Sequence, residues 1–203
     1  MEATSNKSNT KKTMIDHDRK FIFVHIPKTG GSSIESALGL SGRQHLPFKF
    51  HTNKLKYFKF TVVRNIYDKL VSWFLFHRPC NKGNLIQYKT TFSKWVKNDM
   101  PLHQFPFAGT ADKMKNKSPL SDIDFLEDFD GNIKIDYIIN FKNLQSGFND
   151  VCSRLNLTNI KLPHKKNCKS NKHYTEYYDE ETKSIVAEKY AKDIEYFGYK
   201  FGE

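Results

Sequence analysis

Cysteine is scarce in this 203-residue chain. The three present, Cys80, Cys152 and Cys168, are odd in number and include no C-x-x-C pair. That excludes a disulfide framework and a cysteine-based zinc site. A reducing compartment fits; one bridge with a spare thiol stays open, so sequence does not say whether Cys152 or Cys168 is oxidised. No apolar run reaches the roughly 20 residues that span a bilayer. Met1–Thr13 is polar and has no apolar h-region, so the expectation is a soluble, cytoplasmic protein. No carboxylate cluster suits a metal, and no internal repeat is visible. Acids are also short: 22 Asp and Glu stand against 33 Lys and Arg, a formal charge of +11. Such an excess suits an anionic partner: a nucleotide, a sulfated or acidic sugar, nucleic acid or an anionic membrane surface. A Lys-rich solvated surface accounts for the number equally well.

Core-forming residues are plentiful. Apolar residues make up 38% and aromatics 14%, with 17 Phe and 10 Tyr, enough for one well-filled domain. Residues 1–17 read as a disordered polar tail and 18–203 as a single domain. Phe21–Ile26 is a short apolar run ending at Pro27, the pattern of a buried parallel strand. The turn-rich loop Pro27–Ser33 follows, then a short helix at Ile34–Leu38 stopped around Gly39 and Gly42. A second strand is expected at Phe58–Val63. Helical spacing of Leu70, Val71, Phe74 and Leu75 marks a helix over Tyr67–His77. A third helix is expected at Thr91–Lys97 around Trp95; Trp73, Phe74 and Trp95 read as core aromatics. Residues 99–122 are Pro-rich and read as an irregular surface or lid loop. Asp130-Gly131 signals a hairpin turn into a strand at Ile133–Phe141. Helices are expected at Asn143–Leu155 and Asp179–Tyr196, the latter with acids crowding its first turn. Strands alternating with helices predict an α/β three-layer fold, its mainly parallel sheet flanked by helices.

The sharpest chemical signal is the strand–loop–helix unit at 21–38. A glycine-containing loop between a parallel strand and a helix aims several backbone N–H groups at one point, and the helix dipole adds positive potential there. Gly30 and Gly31 let the backbone come close to an anion and take φ > 0. Lys28 brings a mobile cation, and Thr29, Ser32 and Ser33 bring hydroxyls. A nucleoside-triphosphate loop reads G-x-x-x-x-G-K-[ST]. Here the lysine precedes the glycines, so the register fails and triphosphate hydrolysis is not expected.

The segment FVHIPKTGGSS resembles the 5′-phosphosulfate loop of sulfotransferases that use 3′-phosphoadenosine 5′-phosphosulfate (PAPS). It is most similar to the carbohydrate branch, the heparan and chondroitin enzymes and their small bacterial relatives, built on a P-loop-like fold. A second block, FTVVRNIYDKLVSWF, is similar to the family's 3′-phosphate motif, in which an Arg is followed eight residues on by a Ser. Arg64 and Ser72 have that spacing. The third likeness, LPHKKNCKSNKHYTEYYDEET with the closing DIEYFGYKF, carries the resemblance across most of residues 20–201. Two departures, Ile66 for the usual Pro and Lys69 for the usual Arg, lie off the phosphate ligands. A third, Lys142 where relatives often carry Glu, leaves any role for that position open.

The resemblance implies sulfuryl transfer from PAPS to an acceptor hydroxyl, on a carbohydrate, without a metal. Lys28 and the loop N–H groups would stabilise the departing 5′-phosphate. The acceptor needs a base, and the carbohydrate branch places a catalytic His in the interval holding His45 and His51. The match favours His45, whose imidazole titrates in the right range. His51 and Glu35 remain competitors, and His25 reads as structural or ligand-proximal. Lys161–Thr175 holds five Lys and two His without an acid. Within it, Lys165, Lys169 and Ser170 are candidates for the 3′-phosphate and adenine side, against a plain solvated loop. Two other functions stay open. One is a non-enzymatic basic module for nucleic acid or sulfated polysaccharide, which leaves the Lys28 loop and the Arg64/Ser72 pair unexplained. The other is a small-molecule kinase, against which the reversed loop order counts. No specific nucleic-acid partner is expected, and the acceptor's identity carries no motif.

Overall fold

Every residue of the run Phe21–Val24 is buried, so this strand must be covered on both faces. The computed structural model describes residues 14–40, 45–51, 56–77, 90–100, 121–158, 160–163 and 172–203. Its sheet runs in the order β1 (Ile15–Asp16), β2 (Phe21–Val24), β3 (Phe58–Val63) and β4 (Tyr137–Asn140). Strands β2, β3 and β4 are parallel, and β1 is antiparallel to β2 at the edge.

Alternation along β2 divides the core. Phe21 and Phe23 pack with Phe60, Val62 and Ile139, against Ile34 and Leu38 of α1 (Gly31–Leu38) and Phe148 and Val151 of α5 (Leu144–Arg154). Ile22 and Val24 face the other way, toward Phe48 and toward Phe125 and Leu126 of α4 (Asp122–Leu126). This is an α/β three-layer fold, as the alternating pattern predicts. A further core joins α2 (Ile66–Phe76), α3 (Phe92–Lys97) and α6 (Glu180–Lys189), with α7 (Ala191–Phe197) at its margin. Trp73, Phe74 and Trp95 are core aromatics there, as expected.

Parallel pairing aligns strand ends. Register pairs Val24 with Thr61 and Val63 with Asn140. The carboxyl ends of β2, β3 and β4 therefore deliver His25–Lys28, Arg64 and Phe141 to one edge, where open α/β sheets bind ligands.

The structure corrects several boundaries. Residues 14–17 belong to the fold and not to a tail: Met14 is fully buried, its carbonyl accepts from Phe23 N–H at 2.9 Å, and Ile15 pairs with Ile22. Helix α1 starts at Gly31, three residues early, because the turn-forming Gly and Ser occupy its first turn. The strand expected at Ile133–Phe141 shrinks to Tyr137–Asn140, with Ile133 in a lone antiparallel bridge to Glu127. The last helix breaks at Tyr190 into α6 and α7, where Asp193 accepts from Ser121 Oγ at 2.7 Å and from the first peptide N–H of α4. Helix α4 itself was not expected. The lid-loop expectation for 99–122 falls largely outside the described residues. None of the described helices is long and apolar enough to cross a membrane.

Candidate active site

The loop after β2 is shaped by its own backbone. Lys28 has φ 65° and Gly30 φ 84°, both left-handed, so the chain turns twice before α1. Glycine is required at Gly30 by that angle. At Gly31 the reason is packing: an added Cβ would sit 2.1 Å from His25 Cδ2. The Thr29 hydroxyl is buried and donates to the Ile26 carbonyl at 2.9 Å, so its proton is committed within the loop. Ser32 and Ser33 are half-buried in the first turn of α1. That turn contains no acid, and its N-cap, Gly30, has no side chain to satisfy the leading N–H groups. The residues present therefore fit an anionic group at the helix N-terminus.

Arg64, just past β3, reaches this loop. Its Nη1 donates to the Lys28 carbonyl at 2.9 Å. Its Nε and Nη2 form a fork on Asp68 at 2.7 and 2.8 Å, and its guanidinium lies 4.2 Å from the Phe141 ring centroid. One N–H on each terminal nitrogen has no partner among the described residues. Asp68, Ser72 and Phe76 follow at four-residue spacing on one face of α2. Ser72 is half-buried, and Lys28 Nζ lies 4.0 Å from the Phe76 ring centroid. Lys28, Arg64 and the face of α2 carrying Ser72 are thus brought together. The two departures on α2 turn away from the loop: Ile66 is buried in the core, and Lys69 is fully buried with Nζ 2.5 Å from Asp122 Oδ1.

The histidines separate by environment. His25 is buried, and its Nδ1–H donates to Glu35 Oε1 at 2.7 Å. Glu35 is thereby committed to holding α1 against β2. The His51 ring bonds the Leu46 carbonyl at 3.1 Å, and burial holds its imidazole below the usual range. His45 is half-buried, with its ring centroid 4.2 Å from that of His25. Its Nδ1 is 3.1 Å from the His25 carbonyl, which can only accept. Nδ1 therefore carries a proton, and when the ring is neutral the lone pair lies on Nε2. That is the tautomer a general base needs.

Sequence reasoning missed Asp68, Phe76 and Phe141. The four-residue offset of Asp68 from Arg64 was a usable signal; the two aromatic contacts are made across long sequence separations. Lys165, Lys169 and Ser170 lie outside the described residues. Among the described residues no group of His, Cys, Asp and Glu could hold a metal ion.

A family model described as "Sulfotransferase family" matches residues 11–200. No curated protein and no solved structure matches the chain.

Proposed function

The chain belongs to the sulfotransferase family, and on that premise we propose that it moves the sulfuryl group of PAPS to an acceptor hydroxyl on a carbohydrate. The observation that carries this reading is the 2.9 Å bond from Arg64 to the Lys28 carbonyl. It joins the two segments that resemble the 5′- and 3′-phosphate motifs, at the ligand-binding edge of a parallel sheet.

PAPS supplies an activated sulfuryl group when bound. The acceptor oxygen attacks sulfur while the bond from sulfur to the 5′-phosphate oxygen breaks, and that oxygen keeps the electron pair. His45 Nε2 takes the acceptor's proton. The Lys28 ammonium and the N–H groups of the Gly30–Ser33 turn hold the negative charge left on the phosphate. Arg64 and Ser72 take the 3′-phosphate, and Lys165, Lys169 and Ser170 are further candidates for the 3′-phosphate and adenine side. No metal enters this scheme.

Thermal unfolding in the presence of three ligands tests the reading. Saturating 3′,5′-ADP, at about 100 times its Kd, should stabilise the protein by roughly 2.7 kcal/mol. ATP with Mg²⁺, or a short oligonucleotide, should add far less. Stabilisation by ATP without any by 3′,5′-ADP would indicate a kinase instead. Stabilisation by the oligonucleotide alone would indicate a basic binding module.

A further inference from the structure

Arg64 does more in this structure than wait for a phosphate. Lys28 holds a left-handed backbone without being glycine (φ 65°), a conformation that persists only where its surroundings enforce it. One contact on that peptide is the Arg64 Nη1 bond to the Lys28 carbonyl at 2.9 Å. The guanidinium is planar, so its fork on Asp68 fixes the direction in which Nη1 points. The Phe141 ring completes the assembly: it lies under the guanidinium, and its Cε2 would stand 3.0 Å from a Cβ added at Gly30. Asp68, Arg64, Phe141, Gly30 and the Lys28 peptide form one continuous set of contacts. An exposed ion pair at four-residue spacing usually does little. This one differs in being bidentate, in having an Arg64 side chain only 15% exposed, and in bonding a third partner, the Lys28 carbonyl.

We propose that Asp68 is a positioning residue that, through Arg64, sets the conformation of the Lys28–Ser33 phosphate loop. Arg64 then serves the sulfuryl end of the donor as well as its 3′-phosphate. The inference rests on the PAPS reading above. Its consequence is that the two ends of the nucleotide are not bound independently: disturbing Asp68 weakens recognition of the 5′-phosphate even in a ligand with no 3′-phosphate.

Calorimetric titration of wild type and Asp68→Asn with 3′,5′-ADP and with 5′-AMP separates the possibilities. The variant is expected to lose about tenfold in affinity for 5′-AMP and at least as much for 3′,5′-ADP. A loss confined to 3′,5′-ADP would show that Asp68 and Arg64 serve the 3′ end alone and would overturn the proposal. Amide hydrogen exchange of the unliganded proteins gives a readout independent of affinity. The peptide covering 27–33 should exchange faster in Asp68→Asn while the β3 peptide does not, and unchanged exchange at 27–33 would equally overturn the proposal. Asp68→Glu, which restores a carboxylate, should recover part of both effects. Wild type failing to bind either nucleotide would instead overturn the donor reading, and the inference would fall with it.

Discussion

Removing the His45 imidazole takes away the proposed proton acceptor and leaves the phosphate loop in place. His45 meets the loop strand through Nδ1, bonded to the His25 carbonyl, and through its ring against the His25 ring, while the His25–Glu35 bond is made without it. His45→Ala is therefore expected to lower kcat by at least about a hundredfold, the scale of general-base catalysis, while retaining 3′,5′-ADP affinity. Lys28→Ala should lose transfer altogether. Near-normal turnover of His45→Ala in a labelled-PAPS assay would remove His45 as the base. His51 and Glu35 are weaker candidates because each is buried and already bonded, to Leu46 and to His25.

Elements locate these residues through contacts that local pattern does not carry. The two-residue strand β1 is the clearest case. Its polar surroundings resemble a tail, yet Met14 is buried against the face of the sheet that packs on α1 and α5. Met14→Ala should destabilise the protein by about 2–5 kcal/mol, the usual cost of truncating a buried Met. Chemical denaturation measures this directly, and a change below about 0.5 kcal/mol, the range of surface substitutions, would return Met14 to the tail. Helix α2 shows the other side of the same point. Its apolar spacing is readable from Tyr67 to His77, and one face carries Asp68, bonded to Arg64, and Phe76, beside Lys28, with Ser72 between them. Beside that face Lys69 is buried on Asp122, and Asp122 Oδ2 accepts from Tyr199 OH at 2.6 Å. Burial raises the Asp122 carboxyl, and Lys69 acts against that rise.

Across the whole molecule, buried histidines set a pH dependence. Burial lowers His51 and His77 below the usual imidazole range, and the charge of Lys28 lowers His77 further. The unfolded chain binds protons at these sites near pH 6.5, whereas the folded chain does not until lower pH. Between those values the unfolded state holds more protons, so stability falls as pH falls. The contribution is present above about pH 6.5 and fades below it. Melting temperature measured from pH 7.5 to 5.5 should decline, and His51→Gln should flatten the decline. A profile with no slope in that window, or an unchanged slope in His51→Gln, would contradict the assignment.

The sequence by itself determined the class of fold and the residues available in the loop. Strand-forming apolar runs with helical spacing between them are local patterns, and the order Lys28, Gly30, Gly31 already separated this loop from a triphosphate loop. The sequence also placed Arg64 and Ser72 eight residues apart. Tertiary structure alone decided which candidates meet. Parallel register carried Arg64 to the Lys28 carbonyl across 36 positions. Packing gave His45 its tautomer, withdrew His51 and Glu35, committed the Thr29 hydroxyl proton within the loop, and made Gly31 obligatory through the His25 ring. Each of these depends on contacts between segments far apart in the chain, and such contacts leave no periodicity for a single sequence to show.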